Sequence, residues 1–382
     1  MPSLKGVLIA GVSEMDRTEL AGYRDPVSAN AMSIARAAHD AGVNVHDIDV
    51  VLTYDSLVKP DILQANRVAE YLGVNATVAA TVGSAGATPV TALLMADALL
   101  RNGSADTVAI AHSDLRSTAG RDQVIAMMAA NVGNPEFEAP FGPIIPTMYA
   151  LLADWVVGAG RATANDLADI AVATRSWAAL NPNARFTQPL TRDEVLTAPR
   201  VAGLFGKYDC CLVTDFSGAF IVTAGDRDRG SRPVRVRSVV SSSSHEELSQ
   251  IDPDRPMAAA ERAAADLFAA AAVEPADIDA AFLYDCFTST VAQQLIAYGL
   301  TRERPLSWLL GEVGTGPGGG LPVNTHGGLL SATTSGIFHL IEAVRQLRGT
   351  AGRRQIPDPS LALVTNLGGL YSTHCAAILE AC

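Results

Sequence analysis

Two hydrophobic periods take turns along this chain. Short apolar runs such as Val50–Tyr54 and Thr107–Ala111 have the length of buried strands, while longer stretches place apolar residues every three or four positions, the repeat of a helix packed on one side. The predicted order is strand Gly6–Val12, helix Pro26–Ala41, strand Val50–Tyr54, helix about Asp61–Leu72, strand Thr77–Val82, a helix from about Gly86, and strand Thr107–Ala111. A second series follows through Val234–Ser241, Met257–Ala272, Ala280–Leu283, Phe287–Tyr298, Ala332–Leu347, Leu361–Thr365 and Cys375–Leu379. Such alternation implies βα crossovers and a mostly parallel sheet covered on both faces.

The two series share residues as well as rhythm. Asp47-Ile48-Asp49, closing on Tyr54-Asp55, returns as Asp277-Ile278-Asp279, closing on Tyr284-Asp285. Thr91–Gly103 and Ile337–Gly349 also match in period and ending, and an apolar strand follows each. A unit this long marks a duplicated domain, since solenoid periods run roughly 20–50 residues. The expected division is 1–232 and 233–382, with residues about 114–230 forming a cap that breaks the rhythm. In that cap, helices Pro146–Gly160 and Ala164–Leu180 are predicted, the second capped by Thr163 with Asp166 at capping-box spacing. Proline-rich segments around them suggest a surface excursion that shapes a substrate tunnel. Cys210 and Cys211 read as part of an apolar strand.

Composition narrows the function. The chain has 382 residues, 48% of them hydrophobic, enough for large cores. A net charge of −12 argues against a basic nucleic-acid surface. Five Cys with no secretory leader fit free thiols in a reducing, cytoplasmic setting. The N-terminal apolar run reads as a first strand, and no run reaches the roughly 18 apolar residues of a membrane span.

Three segments carry a resemblance that covers nearly the whole chain: Tyr284-Asp285-Cys286-Phe287, the run Val323–Ser331, and Gln346–Gly349. They resemble the thiolase superfamily, and most of all its sterol-carrier-protein-type thiolases and lipid-transfer-protein aldolases. The resemblance implies an α/β thiolase-like duplicated fold, with two pseudo-symmetric βαβαβαββ halves in an αβαβα layered arrangement. It also locates what is missing. A thiolase places a nucleophilic Cys at the N-terminus of a buried helix, where the helix dipole stabilises a thiolate; here Gly86 stands at that position. The Gly-His-Pro segment of the family is skipped, because Ser331 runs directly into Ala332–Gly336. Asn366 replaces the second family Cys.

Without these parts, an acyl-enzyme is not expected. Retro-aldol cleavage of a β-hydroxyacyl-CoA needs only proton transfer and a held enolate, and the aldolase branch performs it on steroid side-chain CoA esters. The expected activity is therefore that of a carbon–carbon lyase acting on a bulky β-hydroxyacyl-CoA and releasing a ketone or aldehyde and a shorter acyl-CoA. The alternatives are an acyltransferase working through Cys286 or Cys375, and a non-catalytic carrier of lipid or acyl-CoA.

Tyr284 leads the candidates because it ends the repeated strand at the family's oxyanion-hole position, while Tyr54 reads as its structural counterpart. Tyr371, beyond the Gly368-Gly369 pair, is the expected partner phenol, and His326 and His374 are placed to orient or deprotonate a phenol. Asn324, Gly327 and Gly328, with Gly368 and Gly369, are expected to frame the enolate and the CoA ester. Asp285 is expected to orient backbone, and His112 is a further candidate. The glycine-rich loop Gly311–Gly320 lacks phosphate-loop spacing and reads as a lid or partner loop. No metal and no cofactor beyond the CoA of the substrate is expected. A homodimer and a small accessory subunit with an OB fold are implied by the resemblance.

Overall fold

A computed structural model describes residues 6–130, 133–225, 232–252 and 254–382. The first five residues of the apolar N-terminal run and the close of the cap at 226–230 lie outside the described residues. In the first half, strands β1 (Val7–Glu14), β2 (Val50–Tyr54), β3 (Val78–Val82) and β4 (Thr107–Asp114) form where the apolar runs predict them. The cap contributes a small ribbon, β5 (Arg200–Ala202) with β6 (Phe205–Gly206), and β7 (Phe216–Ala224) returns from it to the sheet. The second half supplies β8 (Val234–Ser243), β9 (Ala280–Phe282), β10 (Leu361–Gly368) and β11 (Thr373–Ala381).

Among the described residues, nine strands line up in the order β3-β2-β4-β7-β1-β8-β11-β10-β9. The halves meet through a short contact, Leu8 opposite Arg235 and Ile9 opposite Val234. Helices Thr88–Arg101 and Ile337–Arg348 pack on each other and touch strands of both halves. Pro26–Asp40 and Gln64–Leu72 cover the outer face of the first half, and Ala258–Ala271 covers that of the second, with Thr288–Ala297 packed beside it. The nine-stranded sheet thus has its two halves on either side of the central helix pair, and the layers run helix, half-sheet, helix, half-sheet, helix. Small residues allow this closeness: Ala29, Ala31, Ala37 and Ala38 are buried on the first outer helix, and a Cβ at Gly11 of β1 would overlap the Ala37 carbonyl and the Ala41 backbone.

The sheet is not mostly parallel. Among the strands of the described residues, β2 with β3, β2 with β4 and β9 with β10 run parallel, and the central contacts are antiparallel. Alternating periods identify strands and helices but not strand direction. The turn Gly369–Ser372 between β10 and β11 is too short for a crossover helix, so that pair must be a hairpin. The last large helix starts at Ile337 rather than Ala332, after a wide turn at Gly328–Ala332. Cys210 and Cys211 lie outside any strand, with Cys210 making one bridge to Phe287.

The glycine-rich loop closes on itself. A Cβ at Gly319 would overlap the Gly314 backbone, and Trp177 Nε1 donates to the Thr315 carbonyl at 2.9 Å. It leads into Val323, whose parallel bridge to Ala281 gives the second half a one-residue counterpart of β3. Among the described residues, no helix is long and apolar enough to cross a membrane.

Candidate active site

Parallel strands gather ligands outside their carboxyl ends. There, β2, β4 and the segment after β9 open into a cavity of about 1770 Å³. The cap closes it with Ile144, Ile145, Tyr149, Phe186 and Leu190, an apolar wall, while the sheet side contributes Tyr54, His112, Arg116, Tyr284 and Ser335.

Tyr284 is held along its backbone. Asn324 clamps the preceding residue, accepting from Leu283 N–H through Oδ1 and donating to Leu283 C=O through Nδ2, both at 2.8 Å. The Tyr284 carbonyl accepts from Gln294 Nε2 at 2.8 Å and Thr290 Oγ1 at 3.0 Å. The following Asp285 accepts from Leu329 N–H at 2.9 Å and Leu330 N–H at 3.2 Å, with His339 Nε2 at 3.1 Å. With both neighbours fixed, the backbone is held and the ring lines the cavity. A Cβ built on Gly86 would overlap the Tyr284 hydroxyl and Cζ and the Leu367 carbonyl. The phenol therefore fills the space that a side chain at position 86 would need.

The first copy reaches the same cavity. Tyr54 is half-buried like Tyr284, its hydroxyl against that of Thr88 at the start of the central helix. His112, on β4, stacks on Tyr54 with ring centroids 4.0 Å apart, and its Nδ1 lies 2.7 Å from Ser335 Oγ. Ser335 has φ +141°, a conformation side chains avoid unless the surroundings impose it. Arg116 Nε donates to Asp114 Oδ2 at 3.1 Å, and Ser56 Oγ donates to Asp114 Oδ1 at 2.6 Å. Arg116 Nη1 is buried without a partner among the described residues.

Burial sets the protonation states. It pushes the Tyr284 hydroxyl well above the usual phenol range, helped by the thiols of Cys286 and Cys211 and opposed by Arg116. Burial raises Tyr54 as well, again against Arg116. Both phenols are neutral donors near pH 7. Burial, then Arg116, lowers His112 well below the ordinary imidazole value, leaving it neutral near pH 7. The thiols move away from reactivity: burial pushes Cys286 well above its usual value and Cys211 up to about 12.

Several predicted residues sit elsewhere. Gly368 and Gly369 line the cavity, and the Gly369 carbonyl accepts from the Tyr149 hydroxyl at 2.5 Å. Tyr371 does not line it: it is fully buried in the core, its ring against Tyr149 and its hydroxyl 3.3 Å from Ser289 Oγ. The pairing of Tyr284 with Tyr371 is therefore corrected, since the turn after β10 directs that ring inward. His326 is buried behind Asp285, edge-on to His339 at 5.0 Å, and neither ring nitrogen has a hydrogen-bond partner among the described residues. His374, on β11, is buried with both ring nitrogens equally unpartnered, and burial lowers it to about 3. Neither histidine lines the cavity.

Asn324, Gly327 and Gly328 lie under the site and shape the turn rather than contact its space. A Cβ at Gly327 would meet Ala178, and one at Gly328 would overlap the Asp285 carboxylate. Cys286 lines the cavity, whereas Cys375 sits in the core against Ser241 and Thr91. Sequence reasoning missed Tyr54 as a cavity residue, along with Arg116 and Ser335. The repeat marks Tyr54 as the counterpart of Tyr284 but does not show that it reaches the cavity.

Residues 240–381 match the family described as thiolase C-terminal domain-like. An acetyl-CoA acetyltransferase of Methanothermobacter thermautotrophicus is 27% identical, over 99% of this chain and all of that one. The 17-hydroxy-3-oxo-4-pregnene-20-carboxyl-CoA lyase of Mycobacterium tuberculosis is 28% identical, over 90% of this chain and 92% of that one. The solved Ltp2-ChsH2(DUF35) aldolase superposes with a TM-score of 0.84 at 25% identity, over 98% of each chain. The match in the second half and the superposition over the whole chain make this a chain similar to the thiolases and the aldolases related to them. Just before the central helix, Gly86 leaves a space that Tyr284 of the other half fills. The thiolase framework is kept while its thiol chemistry is not supported by any of the cavity cysteines.

Proposed function

We propose that this chain is a cytoplasmic acyl-CoA-dependent carbon–carbon lyase that cleaves a bulky β-hydroxyacyl-CoA of the steroid side-chain type by a retro-aldol reaction. The observation that carries this reading is the Tyr284 phenol in the space above Gly86. It substitutes a neutral donor for a nucleophile, at the helix terminus best suited to negative charge. The relatives named as lyase and aldolase support the reaction class. The raised thiols disfavour the acyltransferase alternative.

In the proposed reaction, His112 takes the β-hydroxyl proton and the O–H electron pair becomes the carbonyl bond. The Cα–Cβ pair passes into the thioester enolate, whose oxygen accepts from Tyr284. The proton on His112 then returns to Cα. No cofactor beyond the CoA of the substrate is needed. For the CoA end, the cavity offers Arg175 over the rings of Phe186 and Tyr208, at 5.3 and 5.7 Å, and Lys207 over Tyr208 at 5.3 Å. Cations backed by aromatic faces suit phosphates and an adenine ring.

A homodimer built through the β3 edge fits the same reading. Among the described residues β3 pairs with β2 alone, and Ile62 and Tyr71 nearby are 89% and 68% exposed. The solved neighbour pairs Ltp2 with ChsH2(DUF35), which supports a small accessory subunit here, expected to carry an OB fold.

The test supplies β-hydroxyacyl-CoAs to the protein, with and without such a subunit, and looks for a ketone or aldehyde plus a shorter acyl-CoA. Tyr284→Phe should lower kcat by about 10²–10³ while CoA-ester binding persists. Thiolysis of β-ketoacyl-CoAs, or binding with no turnover of any ester, would overturn the reading.

A further inference from the structure

Duplication brings two copies of one strand end to the same cavity, and so far only the second has a role. Tyr54 is half-buried, lines the cavity and lies against Thr88, two residues beyond Gly86, where the Tyr284 hydroxyl rests. Both phenols therefore converge on the start of one central helix, one from each half. Tyr54 is also held by its neighbours. His112 covers its face at 4.0 Å and is itself tied to Ser335 at 2.7 Å.

A cation accompanies this copy. Arg116 lines the cavity, is anchored to Asp114 at 3.1 Å, and retains a buried Nη1 with no partner among the described residues. The guanidinium otherwise rests over the Phe216 ring at 5.4 Å, and a charged donor left without a hydrogen-bond partner at a cavity wall points to a group that arrives from outside.

From this arrangement we infer that Tyr54 and Arg116 form the subsite for the β-oxygen of the substrate, the oxygen that becomes the ketone or aldehyde carbonyl. The two tyrosines then divide the work: Tyr284 serves the thioester oxygen and Tyr54 the β-oxygen, with Arg116 stabilising the alkoxide that develops as His112 removes its proton. His112 is thus both neighbour to Tyr54 and within reach of the proton it must take. The inference rests on the lyase reading and assigns its second oxygen.

The experiment places 3-fluorotyrosine singly at positions 54 and 284 of the full chain and follows each fluorine resonance on adding 3-hydroxyoctanoyl-CoA or octanoyl-CoA. The second ester is the first without its β-oxygen. Position 284 should respond to both esters, and position 54 to 3-hydroxyoctanoyl-CoA alone. A position 54 that responds to both esters or to neither, while 284 responds, would overturn the subsite and leave the lyase reading standing. Silence at both positions would overturn both. In kinetics, Tyr54→Phe should lower kcat by about 10²-fold with KM within about threefold, and an unchanged unfolding midpoint would show that the fold is intact. Wild-type turnover in a folded Tyr54→Phe enzyme also overturns the subsite.

Discussion

At the scale of single residues, the site turns on an exchange of volume between positions 86 and 284. The Tyr284 phenol occupies the space a Cβ at 86 would claim, so Gly86→Ala should overpack it. We expect a loss of about 1–3 kcal/mol in stability and a larger proportional loss of turnover, read by denaturant unfolding and initial rates. Cys286 makes the opposite case. Burial holds its thiol well above the reactive range, so Cys286→Ala should keep turnover within about threefold, and a hundredfold loss would reinstate a nucleophilic role. The glycine at position 86 was legible in the sequence, because the helix pattern locates it at the start of the central helix. The role of Tyr54 was not. Identical residues in two copies carry no sign of which will face a ligand, and the His112, Arg116 and Ser335 that distinguish Tyr54 lie far away in sequence.

At the scale of elements, the turn from Asn324 to Leu330 acts as a jig beneath Tyr284. The sequence marks it by its glycines and suggests contact with substrate, yet the turn works on backbone: Asn324 clamps Leu283, and Asp285 collects two N–H groups and His339. Asp285→Ala leaves those donors buried and unpaired, at a cost of about 3 kcal/mol, and should lower kcat although Asp285 does not line the cavity. A variant as stable as wild type in urea would refute that account. Strand direction escaped the sequence for a similar reason. Apolar runs show which segments are buried, but β7, β1, β8 and β11 run antiparallel to their neighbours because of connections that period alone does not describe.

At the scale of the whole molecule, three buried histidines couple the fold to pH. Burial lowers His112, His326 and His374 in the folded state, the last to about 3, while the unfolded chain titrates near the ordinary value of about 6.5. A depressed folded pKa contributes stability that is complete above the unfolded value and is lost as pH falls. Each histidine should therefore cost up to about 1.4 kcal/mol per pH unit below about 6.5, extending for His374 toward pH 3. The urea midpoint is expected to drop steeply between pH 7 and 5, and His374→Leu should flatten part of the slope. A midpoint constant over that range would contradict the buried neutral state. At the alkaline end, the raised tyrosines predict loss of stability as pH climbs past about 10, where the unfolded chain begins to lose its phenol protons first.

The sequence by itself determined the repeated strand end, the layered α/β class, the glycine at position 86 and the one phenol most worth testing. Those are properties of period, repeat and residue type, all of which are local or compare one stretch with another. Only the tertiary structure decided what meets at the cavity. It turned Tyr371, His326 and His374 into the core and brought Tyr54, His112 and Arg116 out to face Tyr284, because which side of a strand end is open depends on what the rest of the chain packs against it.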